Sequence, residues 1–301
     1  MLLVTLLMTS CSKPISYGNL TVNIGYSVNG KPLITDSLCY TNEAGNEFLI
    51  TEIQWFISNL MLQNEQGEWV ELSHQNKSDK TSKVFYIDTN IPESQTLQTA
   101  SIPIGEYKAL RFTFGLDEED NQTGLFSNPP ETNMFWPEPL GGGYHYMKLN
   151  GRFVNAAGEL VPLNNHLGIG QNADHSEYYQ NYFIVEGPID LNIAGNKENL
   201  ILLCMIVDNW FRNPNLYDFN VYGSAIMQNQ DAQQALKENG QDVFTWSVFE
   251  EPNEKDMKKD EIVEGFNRFM QQAAPKPHFW KWENVRERFE DSGFKDLKFK
   301  I

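Results

Sequence analysis

The residues best equipped for chemistry in this chain lie between Met134 and Gly151, in the run Met-Phe-Trp-Pro-Glu-Pro-Leu-Gly-Gly-Gly-Tyr-His-Tyr-Met-Lys-Leu-Asn-Gly. Pro137 excludes helical angles for Trp136, because the proline ring clashes with the residue before it, so the indole rides on a stiff extended or turn segment. Gly141, Gly142 and Gly143 then permit a sharp, left-handed reversal. From Tyr144 to Leu149 the pattern alternates like a strand, which puts His145, Met147 and Leu149 on one face and Tyr144, Tyr146 and Lys148 on the other. A second histidine, His166, follows in Leu163-Asn-Asn-His-Leu-Gly-Ile-Gly170, at the expected mouth of the next hairpin. Two imidazoles, a methionine and a fixed indole are soft or borderline groups that suit copper, cuprous copper above all, better than calcium or magnesium. Each also has an ordinary reading: a buried histidine that makes one hydrogen bond, a tryptophan that packs.

Other chemistry is absent. No Gly-x-Ser-x-Gly elbow, phosphate-binding loop, His-Glu-x-x-His or paired Cys-x-x-Cys occurs, and Gly168-Ile-Gly170 lacks the third glycine of a dinucleotide site. The acidic run Asp117-Glu-Glu-Asp-Asn121 does not match calcium-loop spacing and reads as a solvated loop. His74 and His175 sit among polar residues and read as surface positions. With no nucleophile and base to pair, an enzyme is not expected. The net charge of −17 opposes binding to nucleic acid or to an anionic membrane surface.

The elements that position the central run are strands. Leu20 to Tyr26 alternates, Asn29-Gly30 is a tight hairpin turn, and Pro32 to Tyr40 returns. Ile53 to Leu62, Trp69 to Leu72, Lys83 to Asp88, Tyr107 to Gly115 and Tyr182 to Ile189 extend the pattern. Asn199 to Asp208 is apolar on both faces, as a buried central strand would be. Asp231 to Gly240 is the first helix, with Gly240 as its left-handed closing residue, and Phe244 to Phe249 is a last strand. Short strands between turn signals predict a mainly β protein, an antiparallel β-sandwich over residues 19–249. Beyond it, 250–301 predicts a two-helix C-terminal extension, with helices over Asp256 to Gln272 and Phe279 to Asp291. Docking onto the sandwich is preferred over a partner surface for its aromatic run His278 to Trp282.

The first eighteen residues read as export signal and tether. An apolar run too short to span a membrane ends in small residues before Cys11, which resembles the bacterial lipoprotein signal and implies lipidation at Cys11. Membrane contact would then be through the lipid anchor only. Cys39 and Cys204 both fall in strand-like runs; export allows a disulfide, and free buried thiols are the preferred reading.

As an ordered set, Phe56-Ile-Ser-Asn-Leu60, Ile104-Gly-Glu-Tyr107, Phe114-Gly-Leu-Asp117 with Asn121, Met134-Phe-Trp-Pro137, Gly142 to Leu149, His166-Leu-Gly168 and Ile226-Met227 through Asn239 to Phe244 resemble the copper-binding MbnP-like family. The likeness covers roughly residues 19 to 248. It implies a β-rich domain of the bacterial envelope that binds copper, in some members after a partner dihaem enzyme of the MauG-like, cytochrome c peroxidase type has oxidised a tryptophan to kynurenine. Trp136 matches the modified position. His145 and His166 match the ligand histidines, with Met134 and Met147 as lesser candidates. The expectation is therefore a copper-binding envelope lipoprotein, periplasmic or at the outer membrane, acting as a carrier or scavenger. The alternative is a metal-free module that holds a protein partner or an outer-membrane receptor through its aromatics.

Overall fold

The computed structural model describes residues 15–249 apart from 173, 175 and 196. Cys11, His175, His278 and the expected helical extension lie outside the described residues. Eleven strands build the domain in chain order: β1 (Tyr17–Val28), β2 (Glu47–Asn64), β3 (Trp69–Glu71), β4 (Val84–Asp88), β5 (Thr96–Pro103), β6 (Gly105–Phe114), β7 (Met147–Val154), β8 (Leu160–Leu167), β9 (Phe183–Ile193), β10 (Leu200–Ile206) and β11 (Phe244–Phe249), beside shorter two-residue pairings. A ten-residue helix, α1 (Gln230–Asn239), precedes β11, after a single helical turn at Phe219–Tyr222.

Two sheets face each other. The first runs β11, β10, β1, β5; the second runs β8, β7, β2, β6, β9. Aromatic side chains fill the space between them. Trp55 of β2 donates its Nε1–H to the hydroxyl of Tyr26 on β1 at 3.0 Å, and Phe244 of β11 packs within 5.3 Å of Trp55 and 5.8 Å of Phe114. The protein is the mainly β sandwich that the strand pattern predicts. One pair departs from the antiparallel rule: β1 runs parallel to β10, from Thr21 opposite Leu200 to Ser27 opposite Ile206. Almost the whole second sheet separates these strands in sequence, which supplies the long crossover that a parallel pair needs. β10 is buried on both faces apart from Leu200, as its unbroken apolar run requires.

Local departures have simple causes. Asn29 and Gly30 both take positive φ, 51° and 69°, and close the expected turn. The return strand stops at Pro32, which has no N–H to give to a ladder, and Cys39 lies exposed in irregular chain rather than in a strand. Cys204 is buried, and both thiols are free. Gly240 is not left-handed; its φ is −61° and the chain runs on into a short 3₁₀ turn. A Cβ there would press into Phe183 and Trp210, so close packing explains the glycine.

His74 is not a surface residue. Its ring lies 4.0 Å from that of Phe85 and its Nε2 meets the Val84 carbonyl at 3.0 Å. Burial first, and then Lys77, lower its pKa from 6.5 to about 4. Between those values the unfolded chain takes up a proton that the folded chain refuses, so His74 contributes stability above about pH 6.5 that is lost as the pH falls toward 4. Thermal melts of wild type and His74→Gln are expected to differ by about 1 kcal/mol less near pH 5 than near pH 7.5, after allowance for partial exposure. A gap that stays constant with pH would refute this.

The feature that matters most for the site is β2. Eighteen residues long, it changes partner part-way. Phe48 to Trp55 pair with β7, and Ile57 to Asn64 pair with β6, along the same edge. The opposite edge carries β4 and then β3. At the handover, Phe56 donates its N–H to Tyr146 at 3.1 Å and accepts from Gly115 N–H at 2.9 Å. The long connection between β6 and β7 therefore leaves and re-enters the sheet at one residue.

Candidate metal centre

That connection carries Met134, Trp136 and His145. Phe135 and Tyr144 form an isolated antiparallel bridge, and Trp136 N–H donates to Gly143 O at 2.8 Å. Gly141, Gly142 and Gly143 make the reversal between them with φ of 113°, 71° and 79°, a run that only glycines adopt without strain. The reversal lays His145 against Trp136, ring centroids 4.7 Å apart and nearly edge-on. His166, on β8, packs its ring 5.1 Å from that of His145 on another near-perpendicular contact. Three rings thus stand in a row: indole, imidazole, imidazole.

The face assignment read from period two does not hold. Regular pairing starts only at Met147, because the three residues before it bond in three directions: Tyr144 N–H to Asn121, His145 N–H to Met134 O at 2.6 Å, and Tyr146 N–H to Leu167 O at 2.7 Å. In the β7–β8 register His166 lies opposite Lys148, and Leu167 opposite Met147. His166 therefore shares the Lys148 side of the sheet, and the His145 ring joins it there. Met147 faces the other way, fully buried in the core beside Leu149. Met134 is also a fully buried core side chain. Its contact with the site is through its backbone carbonyl, which accepts from His145.

The electrostatics favour neutral imidazoles. Burial, the main cause, pushes the His145 pKa down to about 3, and burial followed by Lys148 pushes that of His166 to about 4. Lys148 is held by the Asn133 carbonyl at 2.5 Å. His145 Nδ1 lies 2.9 Å from Met134 O, which can only accept, so Nδ1 carries the hydrogen. Nε2 is left as a lone-pair nitrogen, buried and with no hydrogen-bond partner. A buried polar atom without a partner is uncommon and costs stability unless something else satisfies it. Two neutral imidazoles fit a soft or borderline metal ion. Among the described residues no group of three or more His, Cys, Asp and Glu is placed to hold a metal, so any ion here would rest on a two-histidine core.

Several residues that hold this arrangement give no motif in the sequence. The Trp136 ring lies flat over Gly168, where a Cβ would come within 2.5 Å of the indole. The Gly168 peptide is clamped on both sides: its N–H donates to Gln233 of α1 at 3.1 Å and its carbonyl accepts from Asn181 at 2.8 Å, with Asn181 also bonded to Gln233. Trp136 Nε1–H donates to Leu140 O at 2.9 Å. Asn121 accepts from Tyr144 N–H at 2.8 Å and donates to the Tyr146 hydroxyl at 3.2 Å. The acidic run that contains it is an organising loop rather than a solvated one: Asp120 is buried against Lys83 at 3.2 Å. Of this bracing, Gly168 and Asn121 were visible in the sequence, as members of the family-like segments.

A sandwich that carries a buried and a half-buried histidine and a buried tryptophan on and beside one long inter-strand connection defines the class. The family model MbnP matches residues 17–231. The chain belongs to the MbnP family. A solved structure, MbnP from Methylosinus trichosporium, is similar at 12% identity over 78% of this chain and 100% of that chain, with a TM-score of 0.48. No curated protein matches the chain significantly. No helix among the described residues is long and apolar enough to cross a membrane.

Proposed function

We propose that this protein binds copper in the cell envelope as a carrier or scavenger, with His145 and His166 as the ligands. The observation that carries the reading is His145 Nε2, a buried lone-pair nitrogen without a partner, beside a second neutral imidazole. Membership of the MbnP family supports copper as the metal. A bound copper ion would supply a redox-active soft cation; the protein's part is to hold both imidazoles neutral and fixed. The expected result is one copper per chain after dialysis for the wild type, and loss of most of it in both His145→Ala and His166→Ala. Retention by both variants would refute the site.

The same reading takes in Trp136. Its indole is buried, edge-on to His145, and its nitrogen donates rather than accepts. Opened to kynurenine by a partner dihaem peroxidase, with two equivalents of peroxide cleaving the indole C2–C3 bond and hydrolysis releasing C2 as formate, it would offer an aniline lone pair next to the histidines. Peptide mass spectrometry of copper-loaded protein from the native host is expected to find the Trp136 peptide oxidised. An unmodified peptide would remove this extension and leave the two-histidine site standing. Lipidation at Cys11 completes the proposal: fatty-acid labelling should mark the wild type and not Cys11→Ala.

A further inference from the structure

We infer that the metal-facing nitrogens of the two histidines are different ones, Nε2 of His145 and Nδ1 of His166, and that Glu52 fixes the second choice through Asn150. Asn150 and Glu52 are positioning residues that act through His166, Asn150 directly and Glu52 by way of Asn150. The argument follows hydrogen-bond polarity along the outer face of the second sheet. Glu52 on β2 accepts from Asn90 Nδ2 through one oxygen at 3.0 Å and faces Asn150 Nδ2 through the other at 3.3 Å. A carboxylate only accepts, so the amide group turned toward it is the NH₂. The carbonyl of Asn150 is then turned toward His166, with Oδ1 2.8 Å from Nε2. That oxygen also only accepts, so Nε2 of His166 carries the hydrogen and Nδ1 keeps the lone pair. His145 has the opposite arrangement, since its Nδ1–H is taken by Met134 O.

Register explains why these groups meet. Asn150 of β7 lies opposite Asn164 on β8 and opposite Glu52 on β2, two pairs along from the Lys148 and His166 pair and so on the same face. The irregularity in β2 between Ile50 and Glu52 shifts the carboxylate into line with Asn150. Without Glu52 the amide of Asn150 has no group that demands its NH₂, and a flipped amide would donate to His166 Nε2 and move the hydrogen to Nδ1. That would withdraw the lone pair from the side the metal needs.

The first arm of the test needs no metal and stands apart from the copper reading. Long-range ¹H–¹⁵N correlation spectra of the metal-free, ¹⁵N-labelled full chain report which ring nitrogen of each histidine carries hydrogen. His145 is expected in the Nδ1–H form and His166 in the Nε2–H form; the same form in both rings would overturn the inference. The second arm rests on the proposed copper site. Glu52→Gln keeps the shape and removes the fixed polarity, so His166 is expected to populate both forms and copper affinity to fall 10–100-fold at an unchanged melting temperature. A single Nε2–H form with wild-type affinity in Glu52→Gln would overturn the relay. Failure of the copper proposal alone would appear as copper retained in the histidine variants with the tautomers as stated.

Discussion

Gly168→Ala is expected to destabilise the protein by about 3 kcal/mol or more and to abolish copper uptake, although it adds one methyl group. The glycine needs no unusual backbone angle; what excludes a side chain is the indole lying on it, with Trp136 Cε3 at 2.5 Å and Cδ2 and Cζ3 at 2.7 Å from the added carbon. Neither party can retreat. Trp136 is fully buried and tied to Leu140 O, and the Gly168 peptide is clamped by Gln233 and Asn181. Displacing the indole displaces its neighbour His145. A double-mutant cycle isolates the cause: Trp136→Ala removes the ring that clashes, so Gly168→Ala should be less damaging in a Trp136→Ala background than alone. Additive effects of the two changes, or a wild-type melting temperature and copper content for Gly168→Ala, would refute the account.

The second large effect is expected at Gly143, tested against Gly158. Both have φ of +79°, so alanine meets the same left-handed strain of roughly 1–2 kcal/mol at each. At Gly158 nothing lies within 4 Å of a Cβ, and that strain is the whole effect. At Gly143 the Cβ would overlap the Asn121 carboxamide, which has to give up its bonds to Tyr144 N–H and the Tyr146 hydroxyl. At about 1 kcal/mol for each hydrogen bond, Gly143→Ala should reach about 3–4 kcal/mol and lower the melting temperature by roughly 10 °C, with Gly158→Ala losing less than half of that. Copper binding should be lost in the first and kept in the second. Equal melting temperatures for the two variants would show that Asn121 does not hold the turn.

The sandwich was legible in the sequence because its strands are half-buried, and period-two alternation reports half-burial directly. Leu110, Phe112 and Phe114 point to the core as their spacing predicts, and the both-faces-apolar run after Asn199 is the central β10. The site's three rings were also legible as residue types between a proline and a glycine run. Their arrangement was not. Alternation presumes a regular strand, and His145 lies just before one begins, so its face could not be read by counting. The parts played by Asn150, Asn181 and Gln233 escaped notice for a different reason: an amide matters through partners far away in sequence, and nothing local distinguishes a bonded one from an exposed one. His74 was misjudged in the same way, since polar neighbours in sequence say little about Phe85 beneath it.

The connection carrying Trp136 and His145 begins and ends on the carbonyl and the N–H of a single residue, Phe56. The strands on either side keep their own register, since closure is set by one donor and one acceptor on β2, and Leu116, Phe126, Met134 and Tyr144 anchor the connection in the core. His166 stays behind on the sheet. Such a division sets one imidazole on a stiff frame and the other, with the indole, on the connection opposite it, so on the copper reading the two halves of the site are open to separate substitution.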